Sequence, residues 1–360
     1  MKTLQIGPHK IGEGFPTYVI AEIGHNHQGN LDMALGMIEA AAACGVQAVK
    51  FQKRDIESLY TSHFSNQVYD SKNSYGKTYG QHREYLELNK EEFILCKEKA
   101  IACGVDFLVT PFDEVSALFC NELGVNAFKL ASGDLTNEAL IRYVAAFKKP
   151  MILSTGASAL LEIEQTYQLL TFLQAHFSFL YAVSSYPTSN AQLNLQRIQT
   201  LQQRFNDIPV GFSGHDEGID GALYAAALGA RVIEKHFTLD KTLKGTDQCF
   251  SLEPTEMKLL VEKLQALNTM LGNTYEDKSS INSFEWDARM KMGKGIYAAT
   301  TIKAGTILTP ELFSFKSPGT AMTPYDIKKI IGRKILSDLN PDEALQWEMM
   351  DVDVKEKVGL

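Results

Sequence analysis

Short apolar runs alternate with longer amphipathic stretches along most of the chain. Tyr18–Glu22, Ala48–Phe51, Val105–Val109, Ala127–Leu130, Met151–Leu153, Phe179–Val183, Val210–Phe212 and Arg231–Lys235 each read as a strand. Between them, Leu31–Cys44 and Lys90–Cys103 read as helices stopped by Gly45 and Gly104. Helix, glycine, apolar strand is the order of α/β architecture, and near-continuous apolar runs suit strands covered on both faces. Eight such strands predict a (β/α)8 TIM barrel, and no GxGxxG follows the first strand to favour an open dinucleotide-binding sheet. Thr61–Arg83, rich in Ser, Asn, Gly and Tyr, reads as a long loop after the second strand, and loops of that length are often functional.

The pattern changes near residue 275. The stretch YEDKSSINSFEWDARMK is polar and broken, so the reading is a catalytic barrel over 1–275, a linker over 276–292 and a small domain over 293–360. Alone, so small a domain has little core and would be marginal.

Composition narrows the function classes. Hydrophobic residues make up 45% of the 360, enough for a large core. A formal charge of −8 argues against a general nucleic-acid binder. Five cysteines without a CxxC pair argue against a disulfide scaffold or a structural zinc site. No apolar run suits a membrane span and no secretory signal is read at the start, so the expected compartment is cytoplasmic.

Barrel enzymes place their chemistry at the C-terminal ends of the strands. That filter selects Glu22, Lys50, Gln52, Thr110, Lys129, Ser132, Asp134, Ser154, Thr155, Ser184, Ser185, Tyr186, Ser213, His215, Asp216 and His236. His215 and His236 follow neighbouring strands and form the best candidate metal pair, for Mn²⁺, Fe²⁺ or Zn²⁺. Their plainer reading is a pair of hydrogen-bonded or acid–base histidines. Lys50 and Lys129 sit inside apolar strands, where a lysine needs a carboxylate partner or an anionic ligand. With the nearby hydroxyls and glycines, they suggest a phosphate or carboxylate site. Lys129 would also suit a Schiff-base aldolase. His25 and His27, on a glycine-rich turn, either face substrate or fix the loop.

AEIGHNHQGN, KFQK, SYGKTYGQHREYLEL, KLASGD, SSYPT, GFSGH, EKHFTLDKTLKGTDQCFSLEP and MGKGIYAATTIKAG, in that order, resemble the sialic acid synthase family. The resemblance implies a barrel followed by an antifreeze-like SAF domain. It implies condensation of phosphoenolpyruvate with an open-chain N-acylated hexosamine, and a domain-exchanged homodimer. It assigns His215 and His236 to a divalent metal, Mn²⁺ first, with Mg²⁺ or Co²⁺ as alternatives. Lys50, Lys129, Ser132, Ser154 and Thr110 match phosphoenolpyruvate-binding positions, and Glu22 matches the carboxylate near the reacting carbons. Gln52, Tyr186 and Asp247 match the acceptor pocket, and Asp134 stands where bacterial members often have glutamate.

Two positions depart from the bacterial pattern. Ser184 replaces an asparagine, and Ser317 replaces the arginine that would reach the sugar's acyl group. The KTYG, SSYP and KGTD wording is more similar to the animal-type synthases, which act on a 6-phosphorylated sugar. The leading acceptor is N-acetylmannosamine. The same reaction on a 2,4-diacetamido-6-deoxyhexose, on N-acetylmannosamine 6-phosphate or on mannose is the alternative. A Schiff-base aldolase and a non-catalytic sugar-binding protein stand behind these.

Overall fold

The computed structural model describes residues 3–272 and 279–351 and divides into two compact units, Met1–Thr274 and Tyr275–Leu360. Residues 276–278 of the expected linker and 352–360 of the expected small domain lie outside the described residues.

The first unit opens with a hairpin of β1 (Leu4–Ile6) and β2 (His9–Ile11). Eight parallel strands follow: β3 (Tyr18–Gly24), β4 (Ala48–Lys53), β5 (Asp106–Pro111), β6 (Ala127–Leu130), β7 (Met151–Ser154), β8 (Phe177–Ala182), β9 (Val210–Gly214) and β10 (Val232–His236). They close into a barrel in sequence order, with β10 pairing β3. All eight expected strands are present. The hairpin is an addition. Its Leu4, Ile6 and Ile11 join Tyr18, Ile20, Ala48, Leu108, Ala127, Ile152, Leu180 and Val232 in one buried cluster, so it plugs the lower barrel interior.

A second, larger cluster lies between the strands and the surrounding helices. The helix Leu31–Ala43 starts at Asn30, whose Oδ1 accepts from the Met33 amide at 2.8 Å. Gly45, at φ 85°, supplies the left-handed turn that ends it. The helix Lys90–Ala102 starts with a reciprocal capping box between Asn89 and Glu92. The stretch read as a loop over Thr61–Arg83 contains a short helix, Ser62–Ser65, and the start of another, Tyr79–Leu86, each capped by a threonine. Packing among Tyr60, Phe64, Tyr69 and Tyr79 orders a segment whose sequence is rich in turn formers.

In the second unit β11 (Gly295–Ala298) pairs antiparallel with β12 (Phe313–Lys316). Ile296, Ile302, Leu308, Ile330, Ile335, Leu339 and Leu345 form its core. Within the stretch read as linker, Trp286–Met292 is helical. Among the described residues, no helix is long and apolar enough to cross a membrane.

Candidate active site

Strand alternation builds the site. Side chains at every second position share one face. The buried interior cluster holds Ile20, Ala48, Leu108, Ala127, Ile152 and Val232. Two residues further along the same strands come Glu22, Lys50, Thr110, Lys129, Ser154 and Glu234, and all six line one cavity of about 810 Å³. Another step of two reaches Gln52 and His236, which line it too. The cavity therefore stands directly above the apolar plug, at the C-terminal ends of the strands.

Its floor carries four buried charges. Lys50 Nζ lies 2.6 Å from Glu22 and 3.8 Å from Glu234, and Lys129 Nζ lies 3.9 Å from Glu234. Lys50 also donates to Thr110 Oγ1 at 3.0 Å, and Ser213 donates to Glu234 at 2.9 Å. Burial pushes Lys129 down to about 8 despite the nearby Glu234. Burial alone would raise Glu234, but Lys129 and Lys50 outweigh it and hold the carboxyl below its usual range. The lysines thus have carboxylate partners already, and they face a cavity large enough for a ligand.

Beside them is a cradle of hydroxyls. The Gly156 amide donates to Ser132 Oγ at 3.0 Å. A Cβ at Gly156 would stand 2.5 Å from Ser184 Oγ and 2.8 Å from Ser132 Oγ, so only glycine permits this approach. Ser154 Oγ is buried without a hydrogen-bond partner. Such a hydroxyl, beside an amide and two lysines, suits an oxyanion ligand.

The rings of His215 and His236 lie 5.5 Å apart, between centroids. His215 Nδ1 meets the Val183 carbonyl at 3.0 Å, so that nitrogen carries the proton and Nε2 is bare. Burial, then the neighbouring His236, lowers His215 to about 4, which keeps it neutral. His236 Nδ1 is buried without a hydrogen-bond partner, with Asp247 3.9 Å away. The bare Nε2 of His215 and the unpartnered Nδ1 of His236 fit a divalent cation whose other positions belong to water or substrate. Among the described residues, no group of three or more His, Cys, Asp or Glu gathers to hold a metal by protein ligands alone.

The structure brings Glu22, Lys50, Gln52, Thr110, Lys129, Ser132, Ser154, Ser184, Tyr186, His215, His236 and Asp247 into this one cavity. Asp134 is not among its lining residues. It ends the turn Ser132–Asp134 and accepts from Asn137 at 3.2 Å. Ser317 belongs to the second unit, where its hydroxyl accepts from Lys294 at 2.7 Å and reaches the Gly293 carbonyl at 2.9 Å. His25 and His27 do not line the cavity either. His25 contacts Glu87 and Arg54, and His27 Nδ1 accepts from the Gly29 amide at 3.1 Å. Sequence reasoning missed Glu234, Arg54, Asn73 and Arg83, all of which line the cavity. For Glu234 the signal was present, because it falls between Val232 and His236 on the inward parity.

Comparison with known proteins agrees with the barrel and the trailing small domain. Residues 37–276 match the NeuB family and residues 293–350 match the SAF domain. The chain is 37% identical over 342 residues to the N-acetylneuraminate-9-phosphate synthase of Homo sapiens, covering 95% of this chain and 94% of that protein. It is 34% identical over 346 residues to the N,N'-diacetyllegionaminic acid synthase of Legionella pneumophila, covering 94% and 96%. Among solved structures, the N-acetylneuraminic acid (sialic acid) synthetase of Leptospira borgpetersenii, in complex with citrate, superposes with a TM-score of 0.71 at 34% identity. That match covers 80% of this chain and 95% of that one. With the barrel, the strand-end cavity and the trailing small domain accounted for, the chain belongs to the NeuB family.

Proposed function

We propose that the chain condenses phosphoenolpyruvate with the open-chain aldehyde of N-acetylmannosamine and releases phosphate by C–O cleavage, giving N-acetylneuraminate. Membership of the NeuB family makes it a phosphoenolpyruvate-dependent enzyme that joins carbon to carbon on an amino sugar. The observation that carries the fuller reading is the pairing, in one cavity, of a lysine–serine anion cradle with the histidines His215 and His236, each with a ring nitrogen that no protein group engages.

The residues divide the work as follows. Lys50, Lys129, Ser132, Ser154 and Thr110 hold the phosphate and carboxylate of phosphoenolpyruvate. Gln52, Ser184, Tyr186 and Asp247 contact the acceptor. His215 and His236 would hold a divalent cation, Mn²⁺ first, with Mg²⁺ or Co²⁺ as alternatives, and such an ion when bound polarises the aldehyde as a Lewis acid. C3 of phosphoenolpyruvate attacks the aldehyde carbon, and a carbon–carbon bond forms. Water then adds at C2, and the C2–O bond to phosphate breaks to leave the keto acid. Glu22, fixed by Lys50 at 2.6 Å and by Gln52 Nε2 at 2.7 Å, orients that water and takes its proton. Asp134, which lies outside the cavity lining, is the weaker choice for this role.

The active assembly in this proposal is a domain-exchanged homodimer, with the SAF domain of one chain completing the site of the other. The exposed apolar residues Phe284, Met290 and Met292 of the second unit support an interface there. The test of function is a phosphate-release screen with phosphoenolpyruvate, Mn²⁺ and a panel of hexosamines, followed by product mass. Release with N-acetylmannosamine and a nine-carbon keto acid is expected. A reducible pyruvate adduct on Lys129 under borohydride, without phosphate release, would replace the proposal with a Schiff-base aldolase.

A further inference from the structure

We infer that Lys235 is a positioning residue for the histidine pair: it straps the His215–Asp216 turn to β10 and so sets the spacing of His215 and His236, without touching substrate or cation itself. The inference rests on the assignment of that pair to a divalent cation given above. The need for a strap follows from the strand ladders. β9 pairs with β8 as far as Ser213, and with β10 as far as the register of Gly214 and Lys235. His215 comes next, so it has left both ladders. His236 has not, because it stays in register with Glu22 of β3. The sheet therefore holds one histidine, and the other depends on local contacts. The His215 carbonyl accepts from the Thr188 amide at 3.0 Å, and its Nδ1 meets the Val183 carbonyl at 3.0 Å. Both contacts come from the segment after β8, and neither ties His215 to β10.

Lys235 supplies the missing tie. It lies one residue before His236, and the alternation that turns Glu234 and His236 into the cavity turns Lys235 toward the helices. Neither Lys235 nor Asp216 lines the cavity. Lys235 Nζ donates to the Asp216 backbone carbonyl and to Asp216 Oδ1, the latter at 3.1 Å. One ammonium thus joins the residue before one histidine to the residue after the other. The two side chains are 0% and 1% exposed. Glycines make room for them. A Cβ at Gly214 would stand 2.6 Å from Asp216 Oδ1 and 3.1 Å from Lys235 Cδ, and one at Gly221 would stand 2.5 Å from Asp216 Oδ2.

Stability alone does not account for this pair. The helix Asp220–Ala227 packs on β9 and β10, and its Ala222 and Ala225 join Phe212 and Ile233 in the apolar layer between strands and helices. Two charges buried in such a layer gain little over apolar side chains of the same volume, because desolvation offsets their attraction. Asp216 Oδ2 is buried without a hydrogen-bond partner, so the carboxylate is not built for greatest strength. Glu256 and Lys241 also act on Lys235, but those two are joined to each other at 2.6 Å. Among the described residues, no other charged group comes within 4.0 Å of Lys235 or Asp216. Each is the other's one close ionic partner, and displacing either leaves a buried charge alone. That penalty fixes a geometry, and a fixed geometry is what two imidazoles sharing one cation require.

The experiment titrates Mn²⁺ into the full-length chain, without substrates, and follows loss of the free-ion paramagnetic resonance signal. Lys235→Met alone leaves the Asp216 carboxylate buried without a cation and endangers the fold. The variant of choice is therefore Lys235→Met combined with Asp216→Asn, which removes both charges at nearly constant volume, with circular dichroism to confirm the fold. Its Mn²⁺ affinity should fall roughly 10- to 100-fold, as for loss of a partner outside the ligands, and by less than in His236→Ala. Wild-type affinity in the folded double variant overturns the strap and leaves the pair as a stabilising contact only. A second readout needs no metal. The His215 and His236 rings lie 5.5 Å apart between centroids, close enough for a nuclear Overhauser contact between histidine-labelled ring protons. Wild type should show this contact, and the double variant should weaken it several-fold. If wild type binds no Mn²⁺, the metal reading fails by itself and the ring contact still decides: a weakened contact supports the strap, and an unchanged one overturns it.

Discussion

Lys129 is nearly enclosed, 3.9 Å from Glu234, and burial lowers it to about 8. Phosphoenolpyruvate binding needs the charged amine. A bound anion restores the proton, so binding takes up a proton above pH 8 or so, and affinity falls as pH rises through that value. Titration calorimetry between pH 7 and about 9.5 should show the dissociation constant rising by up to tenfold per unit at the alkaline end. A flat profile would mean that Lys129 does not hold the anion. Lys129→Met should weaken phosphoenolpyruvate binding far more than sugar binding. At the histidine pair, His236→Ala should lower Mn²⁺ affinity by more than the roughly 10- to 100-fold that loss of an outer-sphere partner costs. Direct Mn²⁺ titration of the free protein checks this without any assay of turnover, and unchanged affinity would remove His236 from the metal role.

The N-terminal hairpin is the element with the clearest structural duty. Ile6 is fully buried in the cluster that fills the barrel beneath the site. Tyr18 donates to Asp106 at 2.8 Å, and His9 meets the same carboxylate at 3.0 Å, which pins the hairpin to β3 and β5. Ile6→Ala should cost about 2–5 kcal/mol, read as a lower denaturant midpoint with unchanged slope. Nothing in the sequence announces this hairpin. Its strands have three residues each, LQI and HKI, too short for a periodic signal to rise above chance. The barrel strands were legible because burial on both faces makes them continuous apolar runs. Their strand-end polar groups were legible for the same reason, since a lysine inside AVKF or AFKL stands out. Glu234 escaped notice because EKH reads as a polar strand end, although parity with Val232 and His236 marks it as inward. Arg54 lies just beyond the strand, and Arg83 ends the stretch Thr61–Arg83 that reads as a loop. Only tertiary packing, Phe112 against Arg54 and Tyr79 beside Arg83, brings them to the cavity. Asp134 stood out for its place after a strand, yet the turn Ser132–Asp134 carries it out of the cavity lining.

For the whole molecule, the proposed domain exchange predicts a particle of twice the 40.0 kDa chain mass in sedimentation at assay concentration. A fully active monomer would contradict it. The central claim is condensation of phosphoenolpyruvate with an N-acetylated sugar through C–O cleavage. Its most direct measurement uses phosphoenolpyruvate carrying ¹⁸O in the bridging oxygen between C2 and phosphorus, with N-acetylmannosamine and Mn²⁺, and weighs both products. Attack through C3, addition of water at C2 and loss of phosphate from C2 predict that the released phosphate keeps the label and that the nine-carbon keto acid has none. Label in the keto acid, or phosphate released without a new carbon–carbon bond, would contradict the account.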